Sequence, residues 1–324
     1  MIDILPRLLE ATASLQRQMQ AWFSGYSPGM PWTVVSDYCI GDVNKPNDVI
    51  SLVVIANHDT ADAICEYLGR VAPKDLKNTN QVPLGLVQYL TCPQPITFSL
   101  SFVLRRDEAL LRRYLQTAEM ADFLPDACEM MKVWRDNSGD GNPYYEQAIK
   151  RFKLFEQDLR KKQVNEKLAR QIHFTASAVA IVFHLLTEST RAGFLRWISD
   201  RDALLERYDM VVYDIAYFYF LLLRSEHAEP AAGSGGIRPL SVPSIMYEMP
   251  ERTGRHRFDE MVRLPDYLAG TLADLSLNLD GISFSREKFE TVFANVFVNS
   301  PNNWIVQLLS DTEKVTVRSV RFQT

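Results

Sequence analysis

Three β-rich runs stand close together in the first third of the chain, and they constrain the fold more than any other feature. "WTVVSDY" (Trp32–Tyr38) is a short β-branched run with Asp37 near its end. "VISLVVIAN" (Val49–Asn57) is apolar almost without interruption and rich in Val and Ile, which favours strand at this length. The connection between them, "CIGDVNKPND", holds Gly, Asn, Pro and Asp, so the two runs read as neighbouring strands of a hairpin. In "PITFSLSFVL", Ile96, Phe98, Leu100 and Phe102 alternate with polar neighbours, the period of a third strand. "TADAICEYLGRVA" intervenes as a capped helix.

From Arg105 the text turns helical and charged. "RDEALLRRYLQTAEMADFL" reads as one helix, and "YYEQAIKRFKLFEQDLRKKQVNEKLARQI" as one long helix continued by the buried "HFTASAVAIVFHLLTES". The strand pattern returns at Phe194 to Ile198, just before Asp200, and again in "VPSIMYEMP". "MVVYDIAYFYFLLLR" is apolar nearly all round and fits helix or strand, while "SEHAEPAAGSGGIRP" is a loop by composition. The organisation expected is an N-terminal helix and hinge over 1–30, a mixed α/β core over 31–280 with a helical insertion at about 105–188, and a C-terminal helix and strand extension over 281–324. On the first helix, Leu8, Ala11, Leu15, Met19 and Trp22 share one face.

The formal net charge is −5, so no overall basic field marks a nucleic-acid binder, although a local basic groove is compatible with it. Four cysteines without a Cys-x-x-Cys pair suggest neither a disulfide framework nor a zinc site, and thiols in a reducing cytoplasm are expected. The N-terminus lacks the apolar core of a signal peptide. Ala176 to Leu186 is too short to span a bilayer and Asp214 interrupts Met210 to Leu223, so both are expected in a protein core, without a membrane partner.

Candidate chemistry rests on four acids. Asp37 ends the first strand run, Asp200 and Asp202 follow "FLRWI", and Asp266 lies in "MVRLPDYLAGTLADL", near the apolar face made by Leu264, Leu268, Leu272 and Leu275. A carboxylate near a buried helix face is costly unless something pairs with it. Each has a plainer reading: an Asx-turn for Asp37, a helix N-cap for Asp200 or Asp202, and a first-turn acid for Asp266 if the helix begins at Pro265. Asp214 reads as a buried hydrogen-bonded acid or an additional ligand, and Asp274 as a solvated residue.

"RLPDYLAGTL" resembles the late-helix signature "QLADLLAGAL" of an RNase H-like family whose chains open with a strand and Asp-Glu-Ser-Gly; "VVSDYCIGD" sits where that opening would stand. Tyr38 and Cys39 replace the Glu and Ser of the motif, Arg263 and Pro265 replace Gln and Ala, and Asp42 is a possible substitute for the missing Glu. The resemblance implies an RNase H-like mixed sheet flanked by helices. In such a fold the first central strand, a neighbouring strand end and a late helix each bring one acid to the site. It further implies Asp37, Asp200 and Asp266 as catalytic residues, these three with Asp202 as ligands for Mg2+ or Mn2+, and hydrolysis of RNA or DNA.

No phosphate-binding Gly-rich loop, dinucleotide fingerprint or nucleophile elbow competes with this reading. His256 with Arg252, Arg255 and Arg257 is a candidate phosphate contact, and Arg105–Arg106, Arg112–Arg113 and Arg160 to Lys162 are candidates for a nucleic-acid path or an ordinary charged face. The competing expectation is a catalytically inactive interaction or scaffold protein, binding a partner protein or a second copy of itself. The two separate on whether the acids converge.

Overall fold

A computed structural model describes residues 4–106, 109–137, 143–226, 242–248, 258–278, 281–309 and 315–318. The chain begins with α1 (Ile4–Trp22), β1 (Pro31–Cys39), β2 (Asn47–Ala56), α2 (Ala61–Val71), α3 (Leu84–Leu90) and β3 (Thr97–Arg105). Helices α4 (Ala109–Tyr114), α5 (Thr117–Asn137), α6 (Pro143–Leu159) and α7 (Glu166–Thr190) follow, then β4 (Phe194–Ser199), α8 (Ala203–Glu206), α9 (Val211–Glu226) and β5 (Ser244–Glu248). The last part holds α10 (Asp259–Asp274), β6 (Ser276–Asn278), β7 (Gly281–Ser283), α11 (Glu287–Val292), β8 (Asn303–Leu308) and β9 (Val315–Arg318).

The protein is mixed α/β and divides into two compact units. The sheet unit comprises residues 11–108, 185–201 and 243–324, and the helical unit residues 1–10, 109–184 and 202–242. The helical unit thus takes in more than the 105–188 insertion, and the C-terminal extension belongs to the sheet unit because β8 pairs with β3.

The principal sheet has the order β5-β4-β1-β2-β3-β8-β9. β1 to β3 form an antiparallel meander, while β4 runs parallel to β1, β5 to β4 and β8 to β3. β2 is buried along its whole length, which its unbroken apolar run anticipates. α10 lies across β1, β2 and β3 and packs on α2 and α11. Side chains alternate between sheet faces, so Asp37 shares the α10 face with Val35, part of the core that Leu264, Leu268 and Leu272 fill.

Several sequence readings need correction. The helix expected over Arg106 to Leu124 is two, α4 and α5, and the long helix expected from Tyr144 breaks between α6 and α7, where Asn165 caps the new start by accepting from the Leu168 N–H at 3.1 Å. "MVVYDIAYFYFLLLR" is helix, α9. α7 is longer than its most apolar stretch suggested: its 25 residues suffice, by length and composition alone, to cross a membrane, and 89% of its apolar window is buried within the protein. His256 and its neighbouring arginines, and the "AGSGG" loop, lie outside the described residues.

Candidate active site

Asp37 lies within β1 rather than at its end, opposite Ser51 of β2. It therefore makes no strand-end Asx-turn, and it is only 8% exposed. The parallel register of β1 and β4 sets Ser36 beside Ser199, and the Asp200 N–H continues the ladder by donating to the Ser36 carbonyl at 2.9 Å. One residue past its strand, Asp200 thereby reaches the Asp37 carboxyl, and the two side chains share a hydrogen bond.

Asp266 arrives from α10. The helix starts six residues before Pro265, because the Phe258 carbonyl accepts from the Met261 and Val262 N–H groups and so anchors the first turn. Pro265 stands inside the helix, and Asp266 is no first-turn acid, which removes the dipole reading. On α10, Arg263, Asp266, Tyr267 and Gly270 form a stripe at helical spacing against the segment 72–79. The Arg263 guanidinium donates to the Ala72 carbonyl at 2.9 Å, and the Tyr267 hydroxyl donates to the Lys74 carbonyl at 3.0 Å. The Leu76 N–H donates to Asp266 Oδ2 at 2.7 Å. Gly270 permits this approach: a Cβ there would lie 2.7 Å from Leu76 Cδ2. Arg263 and Tyr267 thus hold the turn that orients Asp266.

The three acids interact electrostatically. Burial, followed by the charges of Asp266 and Asp200, raises the Asp37 carboxyl well above the usual range. Burial also raises Asp200 and Asp266, the latter to about 6, against partial relief from the Leu76 N–H and the Lys77 ammonium. Among the described residues no three His, Cys, Asp or Glu side chains are preset to hold a metal ion. The carboxyls are gathered, with Asp37 and Asp200 turned toward each other.

Asp202 serves another purpose. Its side chain accepts the Leu204 N–H at 2.8 Å as the N-cap of α8. Asp42, the suggested substitute acid, is exposed and accepts from the Asn44 N–H at 2.9 Å, a turn contact. Asp214 is buried and paired with Arg151, so it is a structural acid.

Asp37 and Asp266 open onto a cleft of about 760 Å3, also lined by Lys45, Lys77, Arg286 and Lys288. Asp274 is buried, not solvated: it accepts from Lys45 at 2.7 Å and from the Ser285 N–H and hydroxyl at 2.6 and 2.7 Å. Burial raises its carboxyl, but these donors outweigh it and hold Asp274 below the usual range. The Lys288 ammonium donates to the Leu76 and Thr79 carbonyls at 2.6 and 2.9 Å, gripping the same turn from its other side. Sequence reasoning missed Lys45, Lys77 and Lys288 and read Asp274 as solvated. Lys288 sits in "SREKFE", an ordinary charged helix start, and nothing local distinguishes it.

Comparison of the chain with protein-family models, with curated proteins and with solved structures gave no match in any of the three.

Proposed function

We propose that this chain is a metal-dependent nuclease on an RNase H-like core, with Asp37, Asp200 and Asp266 as its catalytic carboxylates. One observation carries the reading: acids from a central strand, from the end of the neighbouring parallel strand and from a late helix across the sheet converge. That is the arrangement the "VVSDY" and "RLPDYLAG" resemblances imply.

The donor set fits Mg2+ or Mn2+. All three candidate ligands are carboxylate oxygens, which hard divalent ions prefer, and the mutual burial that raises each of them is a conflict that a cation would relieve. A bound ion there would supply an activated water and stabilise the leaving oxygen of a phosphodiester. The chain's own contributions are positional. The Leu76 N–H fixes one oxygen of Asp266, the strand register fixes Asp200 beside Asp37, and the basic residues of the cleft face an anionic substrate.

The test is cleavage of labelled single-stranded RNA, double-stranded RNA, RNA–DNA hybrid and DNA, with Mg2+ or Mn2+ and with chelator. Asp37→Asn and Asp266→Asn run alongside. Cutting that requires the metal and disappears in both variants is expected. If no substrate is cut and neither metal shifts the melting temperature, the reading is wrong, and the inactive interaction protein takes its place.

A further inference from the structure

The cleft wall facing the acids carries a second, unassigned feature. Lys288 is 7% exposed, yet among the described residues no carboxylate lies within ion-pair distance of it. Two of its N–H groups are spent on the Leu76 and Thr79 carbonyls, which leaves the third for the cleft it lines. The ammonium sits 5.4 Å from the centroid of the Phe289 ring, and the Lys45 ammonium lies 4.1 Å from the same centroid. Arg286 stands two residues before Lys288 on this wall, exposed, and among the described residues its guanidinium has no hydrogen-bond or ion-pair partner. Among the described residues only Lys45 of the three makes an ion pair, with Asp274, while Lys288 feels the Asp266 charge without touching it.

A partly desolvated ammonium crowded by two further cations is unfavourable alone, and an anion in the cleft removes the conflict. Burial lowers the Lys288 pKa first, and the charges of Arg286 and Lys45 lower it further, against partial relief from Asp266.

We infer that Lys45, Arg286 and Lys288 form a seat for one phosphate group of the ligand that enters the cleft. The inference deepens the nuclease reading and rests on it in one respect: the phosphate is a diester of a nucleic-acid strand, held while a neighbouring diester meets the acids. Free phosphate shares the chemistry, so the test separates the two sources.

Binding to the full-length protein is measured by calorimetry in chelator at low salt, with inorganic phosphate and with a short single-stranded oligonucleotide as probes. Arg286→Ala is the main variant because Arg286 is exposed and its loss leaves the turn grip intact. Lys288→Met is the second, with its folding checked by thermal melting. Arg286→Ala is expected to weaken both probes about tenfold, the worth of one charged hydrogen bond, and to lower the salt dependence of oligonucleotide binding by about one ion. Weakening confined to inorganic phosphate would assign the seat to free phosphate and overturn the diester. Unchanged binding of both probes would overturn the seat itself. Variant-sensitive binding without cleavage under any metal would keep the seat and reject the nuclease. Cleavage with unchanged KM and unchanged binding would do the reverse.

Discussion

Asp214 in the helical unit and Asp37 in the sheet unit are both buried carboxyls, and their surroundings are opposite. Asp214 is 2% exposed and receives the Arg151 guanidinium in a two-pronged contact, at 2.5 and 3.0 Å. The chain supplies the counter-charge, and Arg151 is held more firmly protonated by it. Asp37 faces Asp200 and Asp266, so its nearest partners are acids rather than a cation. A buried acid paired by the chain serves the fold. Buried acids turned toward one another destabilise the fold until something from outside neutralises them, and that difference separates a structural pair from a site.

Breaking the pair should have the largest effect. Arg151→Met leaves Asp214 buried without its counter-charge and is expected to cost about 3 kcal/mol or more in denaturant unfolding. Asp266→Asn should do the opposite. Asp266 titrates at about 6 when folded against an ordinary 3.8, so the folded state binds the extra proton between these values and loses stability as pH rises through them. At pH 8 in chelator the variant should be about 2 kcal/mol more stable than wild type, with no gain at pH 4. Saturating Mg2+ should raise wild-type stability by about 2.7 kcal/mol at a hundredfold excess over Kd, and leave the variant unmoved. A destabilised Asp266→Asn would erase the contrast between the regions.

The helical unit should respond to acid in the other sense. His173 is fully buried, donates to or accepts from the Tyr219 hydroxyl at 2.8 Å, and burial lowers its pKa to about 3. An unfolded histidine takes a proton near 6.5, so stability should fall as pH drops below that value, by about 1.4 kcal/mol per pH unit. Urea midpoints of wild type and His173→Phe between pH 7 and 4 would show it, since the variant loses this slope. The smallest effect is expected from Gly270→Ala. Its Cβ would press on Leu76 and displace the turn that orients Asp266, at a cost of about 1 kcal/mol and with reduced cleavage. Full activity in that variant would show that the turn does not position the acid.

Much of the sheet is legible in the sequence alone. The β-branched runs became β1, β2 and β3, and the short apolar run before Asp200 became β4, because side-chain alternation and β-branching are local properties. Boundaries read less well where a single capping residue decided them, as Asn165 does between α6 and α7 and Phe258 does before α10. Asp200 and Asp202 illustrate the limit. Both follow a strand and precede a helix, and local pattern assigns neither role; one caps α8 while the other meets Asp37.

The amino-acid sequence by itself determined the strands of the first third and the run before Asp200, and it placed one acid near the end of a strand, one just past a strand and one on a helix. The tertiary structure alone decided that these acids meet. Their proximity depends on β4 entering the sheet parallel to β1 with Ser199 beside Ser36, and on α10 crossing that sheet. It likewise decided that Lys288 would be buried against a turn more than two hundred residues earlier in the chain. Periodicity records how a residue faces its own element's neighbours, whereas strand order and helix crossing are set by the total burial of many distant side chains, which no short stretch encodes.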